Sequence, residues 1–260
     1  MTDGGRSRQR ALVLGVPIDA GTWSAAQAAL IDWARARASR YVCICNVHSV
    51  VTATKDPAYA VVVANADMAT PDGAPVAWTM RRKGFPAQER INGPDLMWRL
   101  CGDAQAQGIS VGLFGSVEST LGLLEIALRQ EFPSLQIVYR CSPPFRPLSG
   151  QEDEAICSEI NTSGAGLLFV GLGCPKQEMW MAAHRGRVNA VMLGVGAAFD
   201  YLAGTTPRAP AWMRSNGLEW LHRLLSEPQR LWRRYFLTNS AFILKTACEW
   251  WGGQFSGPMK

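Results

Sequence analysis

Residues 169–200 read FVGLGCPKQEMWMAAHRGRVNAVMLGVGAAFD. The apolar run 167–172 is short and stops at Gly173-Cys174-Pro175, so the chain leaves a strand there. Lys176, Gln177 and Glu178 then stand where a helix begins. A second apolar run, 190–199, is broken by Gly194 and Gly196 and closes on Asp200. The stretch is therefore strand, tight turn, helix, strand, tight turn. In an open α/β sheet both turns lie at the carboxyl ends of strands, where ligands bind. That gathers one cation, one amide and two carboxylates around a crevice.

Working outward, the same alternation fills most of the chain. Residues 11–18 read as a first strand, and Thr22 caps a helix reaching about residue 38. Residues 41–45 form a strand ending at Asn46. Two short helical pieces follow at 49–54 and 57–65, with Pro57 at a helix start. A brief strand at 68–70 turns through Pro71-Asp72-Gly73 into a helix over 74–82. Gly93-Pro94-Asp95 opens another helix, with Asp95 as its cap. Strands at 111–114 and 135–139 flank a helix to about residue 131, and a helix at 151–161 precedes the opening stretch. The fold class is α/β, a mostly parallel sheet with helices on both faces.

From residue 207 onward strands stop. Residues 217–226 and 228–251 read as amphipathic helices broken at Pro228. One face carries Leu224, Leu231, Trp232, Tyr235, Phe236, Phe242 and Ile243, and the other Arg223, Arg230, Arg233, Arg234 and Lys245. The implied division is a disordered tail at 1–10, a core at 11–206, a helical appendage at 207–252 and a tail at 253–260. The net charge of +5 is concentrated in the appendage. There, six Arg and one Lys face three Glu, and five of the ten Trp are present.

At 260 residues the chain buries a core large enough to hold without disulfides. Its seven cysteines form no C-x-x-C pair, and its three histidines lack zinc-ligand spacing. Buried reduced thiols are the reading that fits a cytoplasmic protein. Residues 11–18 lack a cleavage site, and no apolar run nears the roughly 18 residues that span a bilayer. A membrane role is therefore a surface role.

Several polar residues fall at strand ends. Asp72 is placed either to deprotonate a substrate hydroxyl or to bond its own turn. Asn46 and His48 end the preceding strand; Asn46 orients a sugar or closes a turn. Arg90, in Gln88-Glu89-Arg90, suits a diphosphate bidentately or is a surface arginine. Gly115 with Ser116, and Gly171 with Gly173, are the candidate nucleotide-binding turns, although no full dinucleotide fingerprint is present. Lys176 and Gln177 overhang the crevice, while Glu178 offsets the helix dipole. There is no Walker motif and no G-x-S-x-G elbow, which removes ATPase and serine hydrolase readings.

TPDGAPVAW, ERINGPDL, GLGCPKQEMW, GVGAAFDYLAG, RAPAWM and GLEWLHRLLSEPQRLWRRY, in this order, resemble the WecG/TagA/CpsF glycosyltransferases of bacterial envelope and exported polysaccharide synthesis. The resemblance spans about residues 14–235. It implies a Rossmann-like core and metal-independent, inverting transfer of a sugar, with no cofactor. The donor is a UDP-sugar (N-acetylmannosamine, its uronic acid or glucose) and the acceptor a polyprenyl-diphosphate-linked saccharide. It makes Asp72 the general base and puts Asn46, Arg90, Gln177 and Asp200 in the pocket, with Lys176 beside them. The appendage then meets an anionic membrane at its cytoplasmic face through Arg223, Arg230, Arg233, Arg234 and Trp232. Ile44 departs from the family, which often has Thr two residues before the asparagine. A non-catalytic nucleotide-sugar-binding or scaffold protein is the alternative, and a homo-oligomer is allowed. Nucleic acid is not an expected partner, because the basic residues interleave with Leu and Trp at helical spacing.

Overall fold

The computed structural model of the protein describes residues 8–251, apart from the side chain of Arg230. Most of the N-terminal tail at 1–10 and the C-terminal tail at 253–260 lie outside the described residues. Eight strands and twelve helices alternate along that span.

Six strands make one sheet, every neighbouring pair parallel: β3 (Arg40–Cys45), β4 (Met68–Pro71), β5 (Val111–Gly115), β6 (Ile137–Cys141), β7 (Leu167–Gly171) and β8 (Val191–Gly194). Their order is β4-β3-β8-β7-β5-β6. Successive strand side chains point to opposite faces, so each strand feeds two cores. Tyr41, Cys43, Cys45, Leu168, Val170 and Met192 lie in one. Val42, Ile44, Leu167, Phe169, Val191 and Leu193 lie in the other. A sheet buried on both faces requires near-continuous apolar strands, which is what residues 167–170 and 191–193 supply.

Helices α1 (Trp23–Arg35), α5 (Gly93–Gln107), α6 (Glu118–Glu131) and α9 (Ala198–Leu202) cover the second face; α2 (Val47–Ala53), α3 (Pro57–Ala64), α4 (Ala74–Arg82), α7 (Gly150–Ser163) and α8 (Lys176–His184) cover the first. Local chemistry starts them. Thr22 Oγ1 accepts from the Ala25 N–H at 3.3 Å, Asp56 caps α3 with Pro57 behind it, and Ser149 with Glu152 forms a capping box on α7. Asn92, not Asp95, caps α5; Asp95 sits three residues in and accepts from the Asn92 amide at 2.7 Å.

Three expectations are corrected. Residues 11–18 are not one strand of the main sheet. They are an antiparallel hairpin, β1 (Arg10–Val13) and β2 (Val16–Asp19), which forms its own two-stranded sheet. Leu14 and Gly15 turn it with φ of 51° and 81°, the positive pair a tight hairpin turn requires. Residues 8–10 are not tail: the Arg8 and Arg10 guanidiniums both bond the Asp19 carboxylate. The sixth strand begins at Ile137 because Leu135 instead packs under the sheet edge, with its N–H donating to the Phe132 carbonyl at 3.0 Å.

The last helices are α10 (Ala211–Ser215), α11 (Glu219–Ser226) and α12 (Pro228–Trp251). Leu231, Thr238, Phe242 and Thr246 form the buried stripe of α12. At its far end Lys83 Nζ, almost wholly buried, pairs with Glu249 at 2.8 Å and bonds the Leu12 carbonyl. Trp250 lies 4.9 Å from Trp78, centroid to centroid. No described helix is long and apolar enough to cross a membrane.

Candidate active site

The chain reverses its direction across the sheet after β4, and a crevice opens where the ends of β4, β3, β8 and β7 meet. Helices α11 and α12 roof it, leaving a cavity of about 360 Å³. That volume lies within the range of small-molecule sites.

Asp72 stands at the exit of β4. Its N–H donates to the Cys45 carbonyl at 2.9 Å, and Gly73 then turns at φ 88°, a conformation open to glycine, to start α4. Arg90 is brought alongside by a well-anchored loop. Gln88 bonds both the N–H and the carbonyl of Gly21, Glu89 accepts from the Trp23 N–H at 2.7 Å, and the Ile91 N–H donates to the Pro71 carbonyl at 2.9 Å. The Arg90 guanidinium reaches the Asp72 carboxylate at only 3.5 Å and pairs closely with Glu219 of α11. Burial pushes the Asp72 carboxyl above its ordinary value; Arg90 opposes this, and Glu219 adds to it. The result is a carboxylate more basic than an exposed one.

Gln177, also lining the cavity, is buried with both ends of its amide bonded. Oε1 accepts from the Gly173 N–H at 3.1 Å, and Nε2 donates to Glu178 Oε1 at 2.8 Å. A Cβ at Gly194 would sit 2.9 Å from that Nε2, so the strand end must be glycine for the amide to lie there. Glu178 was read both as one of the carboxylates around the crevice and as a partner of the helix dipole. It is 1% exposed and lines the cavity, its Oε2 without a hydrogen bond in the described structure. Burial pushes it up to about 7. Its sequence signal was position: three residues before Met181, it shares that residue's inward face.

Asn46 lines the cavity as the cap of α2, its Oδ1 accepting from the Ser49 N–H at 3.1 Å. The turn-closing reading is the one the structure shows. His48, also lining it, is pushed down to about 4 by burial and by Arg234, and so is neutral.

Other predicted residues lie elsewhere. Lys176 is exposed and outside the cavity lining, because it is the outward member of the first turn of α8. Asp200 is also outside the lining, although its neighbours Ala198 and Tyr201 are in it. Gly115 and Gly171 pack on each other: a Cβ at Gly115 would be 2.6 Å from the Gly171 carbonyl carbon. Ser116 closes the same contact, donating its N–H to the Gly171 carbonyl at 3.1 Å. Of the candidate nucleotide-binding turn residues, only Gly173 reaches the cavity.

Two of the arginines expected on the outer face of the appendage turn inward. Arg223 and Arg234 line the cavity with buried, unpartnered Nε atoms. Arg234 faces inward because it falls between Leu231 and Thr238 on the buried stripe. Arg233 and Trp232 are exposed. Arg230 lies outside the described side chains.

A model of the family described as glycosyl transferase, WecG/TagA/CpsF, matches residues 11–255. The chain belongs to this family. As a WecG/TagA/CpsF glycosyltransferase it serves cell-envelope polymer synthesis, a chemistry that in general joins a nucleotide-linked sugar to a lipid-linked acceptor. The cavity has a basic carboxylate on one side, arginines on the roof, and Asn46, His48, Gln177 and a second carboxyl, that of Glu178, in its lining. Asp153, Cys157 and His184 also cluster in this glycosyltransferase, but none lines the cavity, and Arg187 already holds Asp153 at 2.8 Å.

Proposed function

We propose that this protein is an inverting hexosyltransferase that uses a UDP-sugar and a polyprenyl-diphosphate-linked saccharide, with Asp72 as general base. The observation that carries this reading is the Asp72 carboxyl, raised by burial and opening on a cavity whose roof holds Arg223 and Arg234. Asp72 takes the proton of the acceptor hydroxyl as its oxygen attacks the anomeric carbon. UDP leaves from the opposite face with the bonding electrons, so the configuration inverts. UDP is a good leaving group, and what it needs is stabilisation of the charge growing on the diphosphate. Arg223 and Arg234 supply that charge from the roof. Arg90, tied to Asp72 and Glu219, holds the base in place.

The exposed stripe Trp232, Phe236 and Ile243, with Leu237 and Leu244 beside it, suits the lipid end of such an acceptor. On this reading residues 207–252 are a membrane-associating appendage to a core at 11–206, working at the inner face of the plasma membrane. Trp at such a surface sits well at the headgroup level.

A panel of UDP-sugars, including UDP-N-acetylmannosamine, its uronic acid and UDP-glucose, incubated with a polyprenyl-diphosphate-saccharide analogue tests the proposal. One member is expected to yield product with inverted anomeric configuration, read by mass spectrometry and NMR. Absence of transfer from every member, or retention at the anomeric carbon, overturns it.

A further inference from the structure

Glu178 is the one acidic group at the cavity that the mechanism above leaves unused. Three observations bear on it. It is 1% exposed, yet part of the cavity lining. Oε1 is occupied by the Gln177 amide at 2.8 Å, whereas Oε2 makes no hydrogen bond among the described residues; the nearby Cys174 thiol, a weak donor, and the residue's own N–H only partly offset the burial of the carboxyl. No Lys, Arg or His is paired with it in the described structure; its surroundings are the neutral Cys43, Cys45, Tyr59 and Cys174. A buried carboxyl oxygen with neither cation nor hydrogen bond is costly to maintain. A bound ligand that brings a donor relieves that cost.

The sheet order says which part of a ligand this is. Asp72 follows β4 and Glu178 follows β7, with the ends of β3 and β8 between them. Both residues line the cavity, one on either side of Asn46 at the end of β3. Arg223 and Arg234 are on the roof, contributed by α11 and α12. A diphosphate is drawn toward the arginines and repelled by Glu178. What remains for the floor, opposite the base, is a neutral group rich in O–H or N–H.

We infer that Glu178 is a sugar-binding residue, its Oε2 accepting a hydrogen bond from a hydroxyl or acylamino N–H of the transferred sugar. Gln177 occupies Oε1, which leaves Oε2 as the acceptor still open. This inference rests on the glycosyl-transfer reading and deepens it: the donor sugar carries a hydrogen-bond donor on the face turned away from Asp72. An acceptor oxygen also rejects an analogue in which that donor is replaced by an ether or a hydrogen, because the oxygen is then left buried and unpaired.

The test is calorimetric binding at pH 8 of UDP, UDP-glucose and UDP-N-acetylmannosamine to the full-length wild type and Glu178→Gln. In the variant, the Gln177 amide holds the carbonyl of residue 178, so an NH2 faces the cavity where an acceptor stood. UDP affinity is expected to stay within about twofold, while affinity for at least one UDP-sugar falls about tenfold or more, the loss expected of a hydrogen bond to a charged group. Glu178→Ala, which also removes the wrong donor, is expected to show the same selective loss. Equal weakening of UDP and UDP-sugar, or no weakening of either UDP-sugar, overturns the Glu178 assignment and leaves the glycosyl-transfer reading standing. A wild-type protein that binds neither UDP nor UDP-sugar overturns both.

Discussion

Two carboxyls, Asp72 and Glu178, are raised by burial, but in different company. Asp72 has Arg90 beside it and a fifth of its side chain in solvent, so it stays usable as a base. Glu178 has no cation, and its proton is held up to about pH 7. The sign of the consequence follows. Its folded value lies above the 4.5 of an ordinary glutamate, so the folded state keeps the proton longer than the unfolded chain. The stability this gives is complete below about pH 4.5 and is lost as pH rises through about 7. Glu178→Gln is therefore expected to gain on the wild type by up to about 3 kcal/mol between pH 4.5 and pH 8. Denaturant melts at the two pH values measure it; a variant no better at pH 8 than at pH 4.5 contradicts the buried, unpaired carboxyl. At this scale the sequence was half legible. The Pro-Asp-Gly turn announced Asp72 because its chemistry is local. Glu178 was legible as one of the crevice's carboxylates but equally as a dipole partner at the first turn of a helix, and only packing decides its burial.

Helix α12 shows the same limit one level up. Its existence and its start at Pro228 followed from 3.6-residue periodicity and a proline, both local signals. Its orientation did not. Apolar residues occur all round it, and the buried stripe includes Thr238 and Thr246 while Trp232, Phe236, Ile243 and Leu244 remain outside. The inner face lies against α2 and the cavity, where smaller side chains and Arg234 fit. On the proposed reading, in which the appendage meets a membrane, the aromatic and aliphatic stripe is the surface that does so, and not the cavity-lining arginines. Trp232→Ser, Phe236→Ser and Ile243→Ser together are expected to lower co-sedimentation with vesicles of phosphatidylglycerol and phosphatidylethanolamine by at least about tenfold, since three exposed apolar side chains leave the lipid. The melting temperature should be nearly unchanged, because all three are already exposed. Unaltered co-sedimentation contradicts the assignment.

At the scale of the whole molecule, the alternation of strands and helices was enough for a parallel sheet covered on both faces. It also brought Asp72, Asn46, Arg90 and Gln177 to one end of it. The pairing β3-β8, which closes the crevice, joins residues about 150 apart and leaves no local trace. Nor did the hairpin turn at Leu14-Gly15, where leucine occupies a left-handed position that turn residues usually take. The cavity itself draws on distant parts of the chain: Asp72 from a strand exit, and Arg223 and Arg234 from α11 and α12. The proposed transfer uses them together. Transfer from the UDP-sugar that the panel selects to a polyprenyl-diphosphate-saccharide analogue, followed by UDP release, is therefore to be compared between wild type and Asp72→Asn. The variant is expected to fold and to bind UDP as the wild type does while its rate falls at least about a hundredfold. A wild-type rate in Asp72→Asn would contradict Asp72 as the base.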